Sequence, residues 1–173
     1  IRERGAVARR VDVDASLPPI VVPGRILNEL CAHALETLPE ECCGLILGER
    51  GARFGQLVRC RNEMTRRHRA DPGSHPRDGS TAFWMNEGDY AHAQTLAESA
   101  GVEVTAVYHS HVDVGVYLSE LDLEYAEHEL FAFPNADQIV IAVQEGQVVG
   151  AGLFQREATG KPFAGRAIVL TEH

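Results

Sequence analysis

The run EVTAVYHSHVDVGVYLSELD, residues 103–122, decides how the rest of the chain is read. Its first part, Glu103 to Ser110, is a strand, and Ser119 to Leu130 is a helix. Upstream, Asn86 is placed to cap a helix that runs to about Ala100, with Glu87 and Asp89 against its positive end and Gly101 as its stop. Downstream, Asp137 to Val143 and Val148 to Phe154 form a hairpin around Gly146, and Ala167 to Leu170 is a last strand. Nearer the N-terminus, Gly24 to Leu38 carries Ile26, Leu27, Leu30, Cys31, Ala34, Leu35 and Leu38 at helical spacing before Pro39. Pro18 to Val22 reads as a short strand, and Cys43 to Gly48 with Phe54 to Cys60 as a hairpin turning at Gly51. Arg61 to Thr81, rich in Arg, Gly, Pro, Ser and His, reads as a long functional loop, and Ala82 to Met85 as a further short strand. Residues 1–15 lack periodicity and are expected to form a tail or a loosely docked edge, leaving 16–173 as one domain. Helices interleaved with hairpins predict an α/β fold, a mixed central sheet with helices on its faces.

Composition narrows the function. The chain has 173 residues, a formal charge of −9 and 45% apolar residues. A domain of this length can bury roughly 70% of its unfolded surface, so no disulfide staple is needed. No apolar run approaches the roughly 20 residues that cross a bilayer, and no signal peptide is visible, so no membrane role is expected. The acidic balance argues against a nucleic-acid coat. The charge is also segregated: Arg50 to Arg77 holds eight arginines against Glu63 and Asp71, whereas Asn86 to Gln147 holds twelve acids and no Lys or Arg. Such polarity can steer an acidic partner. Cys31, Cys42, Cys43 and Cys60 form no C-x-x-C pair and read as free thiols in a reducing, cytoplasmic setting.

Chemistry concentrates in the opening run. On a strand, residues i and i+2 share a face, so His109 and His111 project together, a suitable pair for zinc. Asp122, in the first turn of the following helix, can add an anionic third ligand, leaving a fourth position for water as in catalytic sites. A bland reading competes: Ser119 and Asp122 also spell an S-x-x-D helix start. The conjunction weighs against coincidence, since the full pattern follows a given His by chance roughly once in several thousand. His68 and His75 show no fixed spacing and are expected in solvent. His128-Glu129 lacks the second His of a helical zincin, and neither Cys42 nor Cys43 has an activating neighbour in sequence. Phe83 and Trp84 read as core or edge-strand residues.

These residues resemble the JAMM (MPN+) family of zinc metallopeptidases, whose signature is an upstream Glu, then H-S/T-H, seven residues, Ser, two residues, Asp. The segment PEECCGLILG, residues 39–48, is similar to the family's P-x-E-x-C-G-L-L-x-G stretch and puts Glu41 at the general-base position. The resemblance covers about residues 18 to 155 and implies an MPN/cytidine-deaminase-like fold. It implies one zinc per chain on His109, His111 and Asp122, with Glu41 activating the zinc-bound water and Ser119 stabilising the oxyanion. Val112 and Leu118 stand where the family often has proline, which bears on loop shape and not on ligation. The short segment after the Ser/Asp helix lacks room for the insertion that grips polyubiquitin, which points to the prokaryotic type.

The implied substrate is a ubiquitin-like or sulfur-carrier protein cleaved, at a peptide or isopeptide bond, after its C-terminal Gly-Gly. Its tail is expected to add as a strand beside Ala82 to Met85, with the Arg66 to Arg77 loop facing the carrier. Two rival readings are a non-catalytic MPN scaffold, which would lack metal ligands, and a zinc deaminase on a related fold, which would need a C-x-x-C pair.

Overall fold

The structure, a computed structural model, describes residues 9–170. In chain order the elements are β1 (Val11–Asp12), α1 (Gly24–Glu36), β2 (Cys43–Glu49), β3 (Ala52–Cys60), α2 (Met64–Ala70), α3 (Glu87–Ala100), β4 (Glu103–Val112), β5 (Tyr117–Leu118), α4 (Glu120–Glu127), β6 (Asp137–Gln144), β7 (Gln147–Gln155) and β8 (Ala164–Ala167). Six strands make one sheet in the order β3-β2-β4-β6-β7-β8, while β1 pairs with β5 in a separate ribbon. All neighbours in the large sheet are antiparallel except β4 and β6. A parallel pair needs a crossover, and β5 with α4 supplies it. The ends of β4 and the start of α4 are thereby brought together, which is where the candidate residues lie. The mixed sheet flanked by helices agrees with the fold class expected from the sequence.

Alternation along β4 divides the core. Ala106 and Tyr108 join Ile26, Leu30, Ile46, Ile139 and Ile141 on the α1 side. Val107 joins Leu45, Leu47, Ala93 and Ala97 on the α3 side. Each fully buried Leu or Ile contributes about 1.5–3 kcal/mol, so the two layers hold β4 firmly. Gly44 on β2 lies against the Tyr108 ring, where a Cβ would overlap ring atoms. The Tyr108 hydroxyl meets His33 Nδ1 from α1 at 2.7 Å. Burial, reinforced by Arg59 and opposed by Glu36, lowers the His33 pKa to about 4.

Several local expectations are corrected. Met64–Ala70, expected within a structureless loop, is helical. Met, Arg and Ala are good helix formers, and Arg67, His68 and Arg69 in its last turn suit the negative end of the dipole. Pro18 to Val22 makes only one bridge, Ile20 to Ile168, because prolines bring no N–H to a ladder. Ala82 to Met85 forms no ladder either, only the single bridge from Met85 to Asn62, while the Asn62 side chain accepts from Trp84 N–H at 3.0 Å and donates to the Ala82 carbonyl at 3.1 Å. The last strand is Ala164–Ala167, not Ala167 to Leu170, since Ile168 turns to bridge Ile20. α4 stops at Glu127, where the His128 ring accepts the Leu130 N–H at 3.1 Å and competes with the helix. Residues 1–8 of the expected tail lie outside the described residues, and Val11–Asp12 pairs with Tyr117–Leu118.

Candidate metal centre

The site is assembled by strand register. Cys43 on β2 is the Cα partner of His109 on β4. Just beyond, Cys42 N–H donates to Ser110 Oγ at 2.7 Å and Ser110 N–H to the Cys42 carbonyl at 3.1 Å. Glu41 follows directly, one residue beyond these bonds, and lies near Asp122. Glu41 is buried, its N–H donating to the Gly79 carbonyl at 2.7 Å and its carbonyl accepting from Asn62 Nδ2 at 2.9 Å. Burial pushes its carboxyl up to about 9, with Asp122 adding to the rise and Arg77 opposing it. Where a cation sits nearby, this same carboxyl is held closer to ionised.

His109, His111 and Asp122 are all buried and aimed at one another. His109 Nε2 lies 3.2 Å from His111 Nε2 and 3.2 Å from Asp122 Oδ1, and His111 Nε2 lies 3.2 Å from Asp122 Oδ2. The His111 Nδ1–H donates to the Gly115 carbonyl at 2.9 Å, which assigns the neutral ring's lone pair to Nε2. His109 stacks on Phe83 at 4.7 Å, and its Nδ1 has no hydrogen-bond partner among the described residues. Burial alone would raise the Asp122 carboxyl, but His109 and His111 beside it hold it well below the ordinary carboxylate range.

Ser119 caps α4. Its Oγ accepts the Asp122 N–H at 3.1 Å, and Asp122 Oδ2 accepts the Ser119 N–H at 2.9 Å. The helix-start reading and the ligand reading therefore describe the same carboxylate. Between β4 and β5 the loop turns at Asp113, in the left-handed region with φ 61°, and its N–H donates to the Val143 carbonyl at 2.8 Å. Asp tolerates that conformation, so the loop closes without the prolines the family often has there.

The donor set fits a tetrahedral metal. Ligands about 2.0 Å from a tetrahedral ion stand about 3.3 Å apart, close to the 3.2 Å between the two imidazole nitrogens, and Asp122 turns one oxygen toward each ring at 3.2 Å.

Beside Asp122 opens a cavity of about 410 Å³, lined by Met64, Phe83, Trp84, Leu121 and Tyr125 and by Arg77. A larger hollow of about 1090 Å³ lies at the other end of the sheet, near Glu103 and Asp137, and none of the five candidate residues lines it. His68 and His75 are half-buried, contrary to expectation: the His75 carbonyl meets His68 Nδ1 at 2.7 Å, and the His75 ring packs edge-on to Trp84. Phe83, Asn62 and Gly115 serve the site without any signal in their spacing, because they reach it through loop packing. Cys42 is buried with its thiol pushed up to about 12, which removes it as a nucleophile.

Fold and site together define a JAB-type domain, and residues 23–152 match the family model described as prokaryotic homologs of the JAB domain. The chain belongs to that family. It is 22% identical over 126 residues to the CysO-cysteine peptidase of Mycobacterium tuberculosis, covering 73% of this chain and 75% of that protein. The protein of the same name from Mycobacterium bovis matches with the same figures. In three dimensions the chain is similar to a protein from Desulfitobacterium hafniense, with TM-score 0.57, 19% identity, and 88% of this chain and 93% of that one covered. A protein from Salinibacter ruber gives TM-score 0.53, 24% identity, and 88% and 91% coverage. At these identities the two structures speak for the fold alone.

Proposed function

We propose that the protein is a zinc-dependent metallopeptidase that cleaves a ubiquitin-like or sulfur-carrier protein after its C-terminal Gly-Gly. Membership of the JAB family and a relative named as a peptidase support the hydrolase. That relative's name also supports a carrier-protein substrate. The observation that carries the reading is the buried trio His109, His111 and Asp122, its imidazole nitrogens 3.2 Å apart and each 3.2 Å from a carboxylate oxygen, with Glu41 near Asp122. His109, His111 and Asp122 would hold one zinc, which when bound supplies Lewis acidity and lowers the pKa of water from 15.7 to about 7.

The chain's own groups do the rest. Glu41 takes a proton from the attacking water and delivers it to the leaving amine as the C–N bond breaks. Ser119 Oγ already accepts the Asp122 N–H, so its O–H is free to donate to the oxyanion that forms on the scissile carbonyl. Trp84 gives its N–H to Asn62 and its carbonyl to Glu63 N–H. In an extended segment the neighbouring Phe83 presents its own backbone groups to the opposite side, an edge suited to an extended Gly-Gly tail. Four free cysteines, three of them buried, accord with a cytoplasmic setting.

A complete ligand set with a buried Glu beside it favours this reading over a non-catalytic MPN scaffold. The test joins metal analysis of protein purified without chelator to a cleavage assay on carriers extended beyond Gly-Gly. One zinc per chain is expected in wild type and in Glu41→Gln, none in His109→Ala, and turnover is expected to fall by about 10²–10⁴ in Glu41→Gln. Metal-free, inactive wild-type protein would overturn the assignment.

A further inference from the structure

The cavity beside Asp122 is apolar on most of its wall, yet it carries one unengaged cation. Arg61 pairs with Asp89, Arg66 with Glu63 and Arg67 with Glu87, whereas Arg77 has no ion-pair partner among the described residues and lines the cavity. The loop that bears it is pinned on both sides. On one side the His75 carbonyl meets the His68 ring and the His75 ring packs on Trp84. On the other, Gly79 N–H donates to Thr65 Oγ1 at 2.9 Å and the Gly79 carbonyl accepts the Glu41 N–H at 2.7 Å. The strap that holds the proposed general base thus also holds Arg77. Glu124 on α4, also in the lining, bears the opposite sign, so a carboxylate entering here is drawn to Arg77 and repelled by Glu124.

We propose that Arg77 anchors the α-carboxylate of the released residue, so that this site removes a single terminal amino acid with an apolar side chain, seated against Met64, Phe83, Trp84, Leu121 and Tyr125. The inference rests on the peptidase reading above. Hydrolysis then places the water's hydroxyl on the glycine carbonyl carbon and its remaining hydrogen on the amine of the released amino acid. An internal bond, or an isopeptide to a second folded protein, offers no carboxylate at this position.

The test uses an eight-residue peptide ending in Gly-Gly-Phe, made as the free acid and as the C-terminal amide. The zinc-loaded wild type is expected to favour the acid in kcat/KM by about ten-fold or more, as a hydrogen bond to a charged group warrants. In Arg77→Met that ratio falls to near one, and in Arg77→Lys it is intermediate. The ratio within one variant is insensitive to a general loss of activity. Trp84, the only tryptophan, lies in the cavity and reports binding to the zinc-loaded Glu41→Gln protein by fluorescence, where the same preference is expected. Equal cleavage of acid and amide, or an acid preference kept in Arg77→Met, overturns the inference and leaves the peptidase standing. Selective binding of the acid without hydrolysis by wild type removes the peptidase and keeps the anchor. No binding and no hydrolysis removes both.

Discussion

Asp122 answers to two sets of partners at once: the helix start that holds its Oδ2 and the two imidazoles that face both oxygens. Its backbone cap orients the carboxylate before any ion arrives, which lowers the entropy lost on binding. At this scale pH acts elsewhere, on His33. Its pKa is about 4 folded against an ordinary 6.5, so between these values the unfolded chain binds more protons. Stability is therefore full above about pH 6.5 and is lost as pH falls toward 4. Urea midpoints are expected to drop by the equivalent of roughly 2 kcal/mol between pH 7 and 5 in wild type relative to His33→Gln, where this component is absent. Equal pH slopes in the two proteins would contradict the assignment.

Among the elements, α4 and the β2–β4 pair matter most. Ser119→Ala removes the cap of α4 and the proposed oxyanion donor together. Unfolding should cost about 1 kcal/mol less, and kcat should fall by about 10²–10³, whereas Ser119→Thr retains both roles. Urea denaturation and steady-state kinetics separate the two effects. The Tyr108 ring lies over β2 only because residue 44 has no side chain. Gly44→Ala drives a methyl into the Tyr108 ring, next in sequence to His109, and is expected to destabilise by about 1–3 kcal/mol in thermal or chemical unfolding. α2 shows where local reading failed: with only Met64 buried it has no apolar stripe, so periodicity had nothing to detect.

For the whole molecule, charge segregation and the proposed metal binding set the terms. The arginine-rich stretch is largely occupied internally: Arg59, Arg61, Arg66 and Arg67 all hold carboxylate partners, and Arg67 also covers Trp84 at 3.9 Å. Fewer arginines are free to steer a carrier than the sequence implied. No helix among the described residues is long and apolar enough to cross a membrane. Stripping zinc with a chelator is expected to lower Tm, and free zinc at a thousand times its Kd should restore about 4 kcal/mol. His109→Ala should show no such zinc dependence in differential scanning calorimetry.

By itself the sequence determined what local chemistry can specify: the strand with His109 and His111 on one face, the Ser119 cap that carries Asp122, and the Asn86 and Gly101 limits of α3. Each depends on residues within a turn or two of one another. Glu41 was legible only through resemblance to a family, because its place near Asp122 depends on pairing between strands distant in the chain. Tertiary structure alone decided the rest. It made Asn62 stand in for a strand, stacked Phe83 on His109, and left Arg77 unpaired at a cavity while Arg61, Arg66 and Arg67 found acids. Those outcomes rest on long-range packing, which no local pattern encodes.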